Sequence, residues 1–254
     1  MESLLNVLTT KVNIISAISL KRQFEISFID KDRWQLYLEG LGNTLIVTFF
    51  ALILGIVIGA VVAIVRASYD KNYSEMKGGL GKILLAIFNI ISKIYLTVVR
   101  GTPVVIQIMI MYYIIFATSN NKIFVAILSF GINSGAYVAE IFRGGIMSID
   151  EGQFEAGRSL GFNYRQTMWY IIMPQALKNV LPALCNEFIA LLKETSVSGY
   201  LAIQDLTKGG DIIRSQTWTA YMPLLAVAVI YLVIVLIFTR LTKLLERRLR
   251  QSER

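Results

Sequence analysis

Apolar residues along this chain gather in long runs separated by short polar stretches rich in Lys and Arg. The longer runs approach or exceed the roughly 20 residues a helix needs to cross hydrocarbon. The pattern predicts about five spans, near 43–65, 103–117, 123–142, 178–198 and 221–241. Residues 83–100 are apolar but interrupted by Asn89, Ser92 and Lys93. They read as an oblique interfacial helix, with Pro103 ending it and opening the next segment. Upstream, Leu4, Leu8, Val12, Ile15 and Ile18 recur at helical spacing, with Asn6, Thr10, Lys11 and Asn13 on the other side. That is the signature of a short amphipathic helix over 1–20 lying on a membrane surface. Trp34 and Tyr37, in the charged stretch 21–39, suit an interfacial aromatic belt.

The expected fold class is therefore all-α: a polytopic membrane helical bundle of about five transmembrane helices plus interfacial helices. An N-terminal amphipathic and interfacial segment, 1–38, leads into a transmembrane domain over 39–254. Residues 1–20 lack a long apolar core and a small-residue cleavage site, so the first span is expected to serve as an uncleaved signal. Gly55 and Gly59 in that span have the G-x-x-x-G spacing that lets helices approach closely, read here as plain helix packing.

Composition narrows the chemistry. The hydrophobic fraction is 55%, above the roughly 45–50% of soluble domains. The net charge of +8 fits the Lys and Arg that collect in cytoplasmic loops, and no basic face interleaved with aromatics suggests nucleic acid. The sequence has no His and one Cys, Cys185. That excludes a disulfide framework, a His/Cys metal site and His-dependent nucleophilic catalysis within the chain; Cys185 reads as a buried small hydrophobe. Six Lys and Arg lie between Arg66 and Arg100, four between Arg143 and Lys178, and six from Arg240 to Arg254, against Lys122, Lys208 and Arg214 in the alternate loops. The asymmetry places the 143–178 loop and the C-terminus in the cytoplasm and, with five spans, the N-terminus outside. The Arg-rich tail suits anionic headgroups.

The loop after the third span carries the densest local signals. Asp150 with Gln153, and Asn163 with Gln166, have capping-box spacing. Gly161 suits the left-handed residue beyond a helix end, and Pro174 is expected to close the second helix. Phe154, Gly157 and Leu160 would line one side of the first helix, and Tyr164, Met168, Ile171 and Ile172 one side of the second. On pattern alone this is either a compact knob or an amphipathic pair lying on the bilayer.

Glu155-Ala156-Gly157, then Gly161, then Ile171-Ile172-Met173-Pro174 resembles the E-A-A-x3-G-x9-I-x-L-P loop of ABC importer permeases. Gly157 stands for the second Ala and Met173 for Leu. Gly42-Asn43-Thr44-Leu45, Val99 to Pro103, Ser134 to Gly145 and Leu192 to Ser196 resemble the polar amino-acid branch of that family, and the likeness covers about 38–245. The resemblance implies a type I import permease whose loop, about 144–175, carries a cytoplasmic coupling helix. Glu155, Ala156, Gly157, Gly161 and Pro174 would be the ATPase-coupling residues. The implied partners are two ABC ATPase subunits carrying ATP and Mg, a second permease subunit, identical or paralogous, an extracytoplasmic solute-binding protein and an amino-acid substrate, in a bacterial inner membrane. No cofactor is expected in this chain. A phosphate-binding P-loop fails, since Met76 occupies its first glycine position and Ile83 follows Gly81-Lys82.

Charged groups within a span cost about 2.5–3.5 kcal/mol at the bilayer centre, so they should face the bundle interior or water. In the fourth span Glu187 and Glu194 lie two turns apart, with Asn186 and Lys193 in the adjacent row. This stripe is either one wall of the solute path or an internal ion-pair system. Asn133 and Ser134 in the third span either line the path or bond across helices. Glu140 with Arg143 reads as a local i, i+3 ion pair, and Arg100 with Pro103 as an elbow. A secondary transporter driven by an ion gradient is the competing reading; it predicts internal repeats and helices broken at mid-membrane, which the sequence does not display.

Overall fold

The computed structural model describes residues 19–74, 76, 78–201 and 203–251; the amphipathic helix expected over 1–20 lies, but for its last two residues, outside them. All regular structure among the described residues is helical. In chain order the α-helices are α1 (Leu20–Phe24), α2 (Trp34–Asn72), α3 (Leu80–Gly101), α4 (Val104–Ile110), α5 (Lys122–Met147), α6 (Glu151–Ser159), α7 (Tyr164–Thr167), α8 (Met173–Glu194), α9 (Leu206–Thr217) and α10 (Tyr221–Gln251). Among the described residues, four stretches are long and apolar enough to cross a membrane: Trp34–Asp70, Leu80–Gly101, Lys122–Met147 and Tyr221–Leu249.

One of them, α3, covers the segment 83–100 read above as an oblique interfacial helix. Helix α3 has 22 residues, about 33 Å at 1.5 Å per residue, enough to span. Two of the three polar residues that broke its apolar run are on its covered side: Asn89 and Ser92 are buried with Val99 at helical spacing, and Asn89 accepts a hydrogen bond from Arg66 at 3.0 Å, while Lys93 is exposed. The segment expected as span two is α4 extended by a π turn, together Val104–Ile115, too short to cross alone. Helix α8 equals α3 in length but carries the charged stripe.

The helices divide between two compact units. One holds the described residues up to Leu45 and Ser196–Ile234. Its core is Tyr37, Leu206, Ile213 and Val227, with Phe28, Leu41 and Ile230 packed on it. Tyr37 is only 3% exposed and stacks on Phe28 at 5.2 Å; the aromatic-belt expectation therefore fails for Tyr37, whose ring is core, while Trp34 is exposed. Helix α9 lies directly on the start of α2. A Cβ on Gly209 would sit 2.6 Å from the Leu36 carbonyl oxygen, and one on Gly40 2.5 Å from that of Asp205. Two side chains of the Gly42–Leu45 stretch fasten this contact: Asn43 donates to the Gln204 carbonyl at 2.8 Å and Thr44 accepts from the Leu206 N–H at 3.1 Å.

The other unit holds Ile46–Thr195 and Val235–Arg254. Its centre is α5, whose buried residues run from Val125 to Gly145 and which packs most extensively on α8. Small residues permit this. A Cβ on Gly55 would meet Ser134 at 3.0 Å and one on Gly59 the Val138 side chain at 2.7 Å, so the G-x-x-x-G pair seats α2 on α5 within the chain. Cys185 is half-buried rather than buried.

Candidate functional site: a capped loop and a polar pair between helices

The loop between α5 and α8 is folded. Asp150 caps α6 by accepting from the Gly152 N–H at 2.7 Å. The expected reciprocal box with Gln153 does not form, because the Gln153 side chain instead accepts from Gln175 at 3.2 Å, bracing α6 against the start of α8. At the other end, the Phe162 N–H bonds the Gly157 carbonyl (3.1 Å) and the Gly161 N–H that of Arg158 (2.9 Å), with Gly161 at φ +79. This is a Schellman stop, which needs a residue tolerant of the left-handed region. Asn163 and Gln166 form the expected reciprocal box, at 3.0 and 2.9 Å.

The two loop helices touch at Gly157 and Thr167, both buried. A Cβ on Gly157 would lie 2.5 Å from the Thr167 methyl. The departure from the second Ala of the loop pattern therefore has a steric cause. Glu155, Ala156 and Gly161 are exposed. Leu160, expected on the covered side, is 70% exposed, and Tyr164 is also exposed, while Ile172 is fully buried. Trp169 and Tyr170 stand out at 69% and 67% exposure; they lie opposite the apolar spacing of Met168, Ile171 and Ile172, and an adjacent aromatic pair on the polar side was the available signal.

Pro174 does not close the second helix. The chain runs helically from Tyr164 through a π turn at Met168–Ile172 into α8. Proline lacks an N–H and its ring crowds the carbonyl four residues back; the wider turn, with the Met173 N–H reaching the Met168 carbonyl, accommodates it at the first turn of α8. The loop is thus a direct extension of α8.

Among the membrane-embedded candidates, the structure joins Ser134 to Glu187: the hydroxyl donates to the carboxylate at 2.7 Å, linking α5 to α8. Asn133 donates to Gln107 at 2.9 Å and so ties α5 to the segment after the Pro103 elbow. Gln107 in turn donates to the Val99 carbonyl at 2.7 Å, across the elbow. Both thus bond across helices. Glu187 and Glu194 are half-buried, whereas Asn186 and Lys193 on the adjacent row are exposed. The local Glu140–Arg143 pair is not formed; Glu140 pairs with Arg100 of α3, whose reach across to α5 competes successfully with a neighbour on the same helix.

Bilayer-length apolar helices, charged groups held between them and a folded loop continuous with α8 define a multi-pass membrane protein. Residues 80–251 match the family described as the binding-protein-dependent transport system inner membrane component, and the chain belongs to that family. It is 35% identical over 219 residues to the glutamine transport system permease protein GlnP of Escherichia coli K12, covering 85% of this chain and 93% of that one. It is 34% identical over 219 residues to the arginine transport system permease protein ArtQ of Bacillus subtilis, with the same coverage. A crystal structure of an amino acid ABC transporter with histidines superposes with TM-score 0.74 at 37% identity, over 84% of this chain and 94% of that chain.

Proposed function

We propose that this chain is the permease of an ATP-driven importer of a polar amino acid, working by alternating access with a second permease subunit, identical or paralogous. Two cytoplasmic ATPase subunits, carrying ATP and Mg, would grip the α6–α7 loop, and an extracytoplasmic binding protein would deliver the solute. The N-terminus would lie outside and the C-terminus inside.

The observation that carries this reading is mechanical. Helix α6 is stopped by Gly161, packed on Thr167 through Gly157 and braced by Gln153 on Gln175, so a pull on the exposed Glu155–Ala156 edge passes into α7 and on into α8. Because α8 carries Glu187, bonded to Ser134, displacement of the loop would shift α8 against α5 and rearrange the polar residues between them. Names of the relatives favour a polar amino acid, and a stripe offering both carboxylates and an ammonium at Glu187, Lys193 and Glu194 suits a zwitterion. Uptake by proteoliposomes of the co-purified complex tests the energy source. ATP on the loop side should drive accumulation, whereas uptake under an ion gradient without nucleotide would reject the proposal.

A further inference from the structure

A cavity of about 260 Å³ opens between α2, α3 and α5, lined by Val62, Ala63 and Arg66 from α2, Lys93, Leu96 and Thr97 from α3, and Ala139, Glu140 and Arg143 from α5. Its charge is unbalanced. Glu140 is paired with Arg100, while Arg66, Lys93 and Arg143 form no ion pair among the described residues. The Arg66 guanidinium is half-buried and held by Asn89; Lys93 and Arg143 are exposed at the rim. Three cations meeting around one recess repel one another, and near hydrocarbon that repulsion is poorly screened.

We infer that this recess binds the phosphate-bearing headgroup of an anionic phospholipid. A phosphate diester offers acceptor oxygens that suit a guanidinium fork on one side and an ammonium on another. Basic pockets between transmembrane helices commonly take such headgroups. The surroundings favour a lipid over a free anion: Val61 and Ile64 beside Arg66, and Ile94 and Val98 beside Lys93 and Thr97, are all more than half exposed, an apolar skirt for acyl chains next to the charged recess. A bound lipid would bridge α2, α3 and α5 at the end where Arg100 and Glu140 pair, whichever solute the permease moves.

The test is lipid retention by the full chain in its native complex, in nanodiscs mixing phosphatidylglycerol and phosphatidylcholine, read by native mass spectrometry. The protein should retain phosphatidylglycerol at least about tenfold over phosphatidylcholine, and Arg66→Gln, Lys93→Gln and Arg143→Gln combined should abolish the preference. Lys93→Gln alone, at an exposed position with no fold to disturb, should weaken it about fivefold, and Arg247→Gln with Arg248→Gln in the tail should leave most of it. An unchanged preference in the triple variant would overturn the site. Displacement of the lipid by millimolar inorganic phosphate would overturn the lipid assignment in favour of a soluble anion.

Discussion

Ser134 on α5 donates a hydrogen bond to Glu187 on α8 across 2.7 Å, and the same hydroxyl lies where a Cβ on Gly55 of α2 would meet it at 3.0 Å. Three helices therefore converge on one polar contact. Ser134→Ala would strip the carboxylate of its donor and should cost about 1–3 kcal/mol, read as a lower unfolding midpoint in detergent. Glu187→Gln keeps an acceptor for the hydroxyl and should cost less. If Glu187 also contributes to the solute path, uptake by Glu187→Gln should fall although its unfolding midpoint is nearly preserved.

The seat of α2 on α5 predicts a contrast between two glycines of one helix. A Cβ on Gly59 would lie 2.7 Å from Val138 and 2.8 Å from the Ala139 backbone nitrogen, which cannot yield; nothing lies within 4 Å of one on Gly42. Gly59→Ala should destabilise by about 1–3 kcal/mol, whereas Gly42→Ala should be neutral or slightly stabilising through helix propensity. Thermal unfolding of the two variants side by side checks this.

Gly161 holds φ +79 with open space around its Cα, so Gly161→Ala meets backbone strain alone. It should cost about 1–2 kcal/mol locally, and Gly161→Asn less, because Asn tolerates the left-handed region. Hydrogen exchange over 157–163 should rise for Gly161→Ala. If the stop orients the coupling edge, ATP-driven uptake should fall in the same order.

Burial moves the titration of Asp205 upward. It is 1% exposed; burial pushes it from 3.8 up to about 6, against the pull of the Lys208 N–H that it caps at 2.7 Å, and its second carboxylate oxygen has no hydrogen-bond partner among the described residues. With the folded value raised above the unfolded one, the proton-linked stability is fully present below pH 3.8 and lost as pH rises through about 6. The loss amounts to something on the order of 3 kcal/mol. Asp205→Asn keeps an N-cap acceptor and should flatten the dependence of unfolding temperature on pH between about 4 and 6.5; a slope equal to the wild type would show that another group is responsible.

Local signals were legible in the sequence and distant partners were not. Asn163 with Gln166 and Gly161 act within a few residues, so spacing alone revealed their caps. Asp150 and Gln153 have the same spacing, but Gln175, 22 positions away, bonds Gln153 first, and Arg100 likewise takes Glu140 from Arg143. Asn89 and Ser92 interrupt the apolar run of α3, but a polar residue in such a run says nothing of what buries it; here a neighbour's guanidinium bonds Asn89. The passage of the helix through Pro174 depended on a π turn, for which the residues around Met168–Ile172 give no distinct pattern. Of the candidate site, Ser134 and Glu187 were each singled out for being polar in an apolar run, but their direct bond depends on how α5 packs on α8.

The most direct measurement of the account is a cross-link from the loop, made in a Cys185→Ala background with a single cysteine at position 155 or 156. In the assembled transporter, either cysteine should cross-link to an ATPase subunit with a short thiol reagent, and the cross-link should abolish ATP-driven uptake. Failure of both positions to reach any nucleotide-binding partner, with uptake intact when 155 and 156 are replaced together, would contradict it.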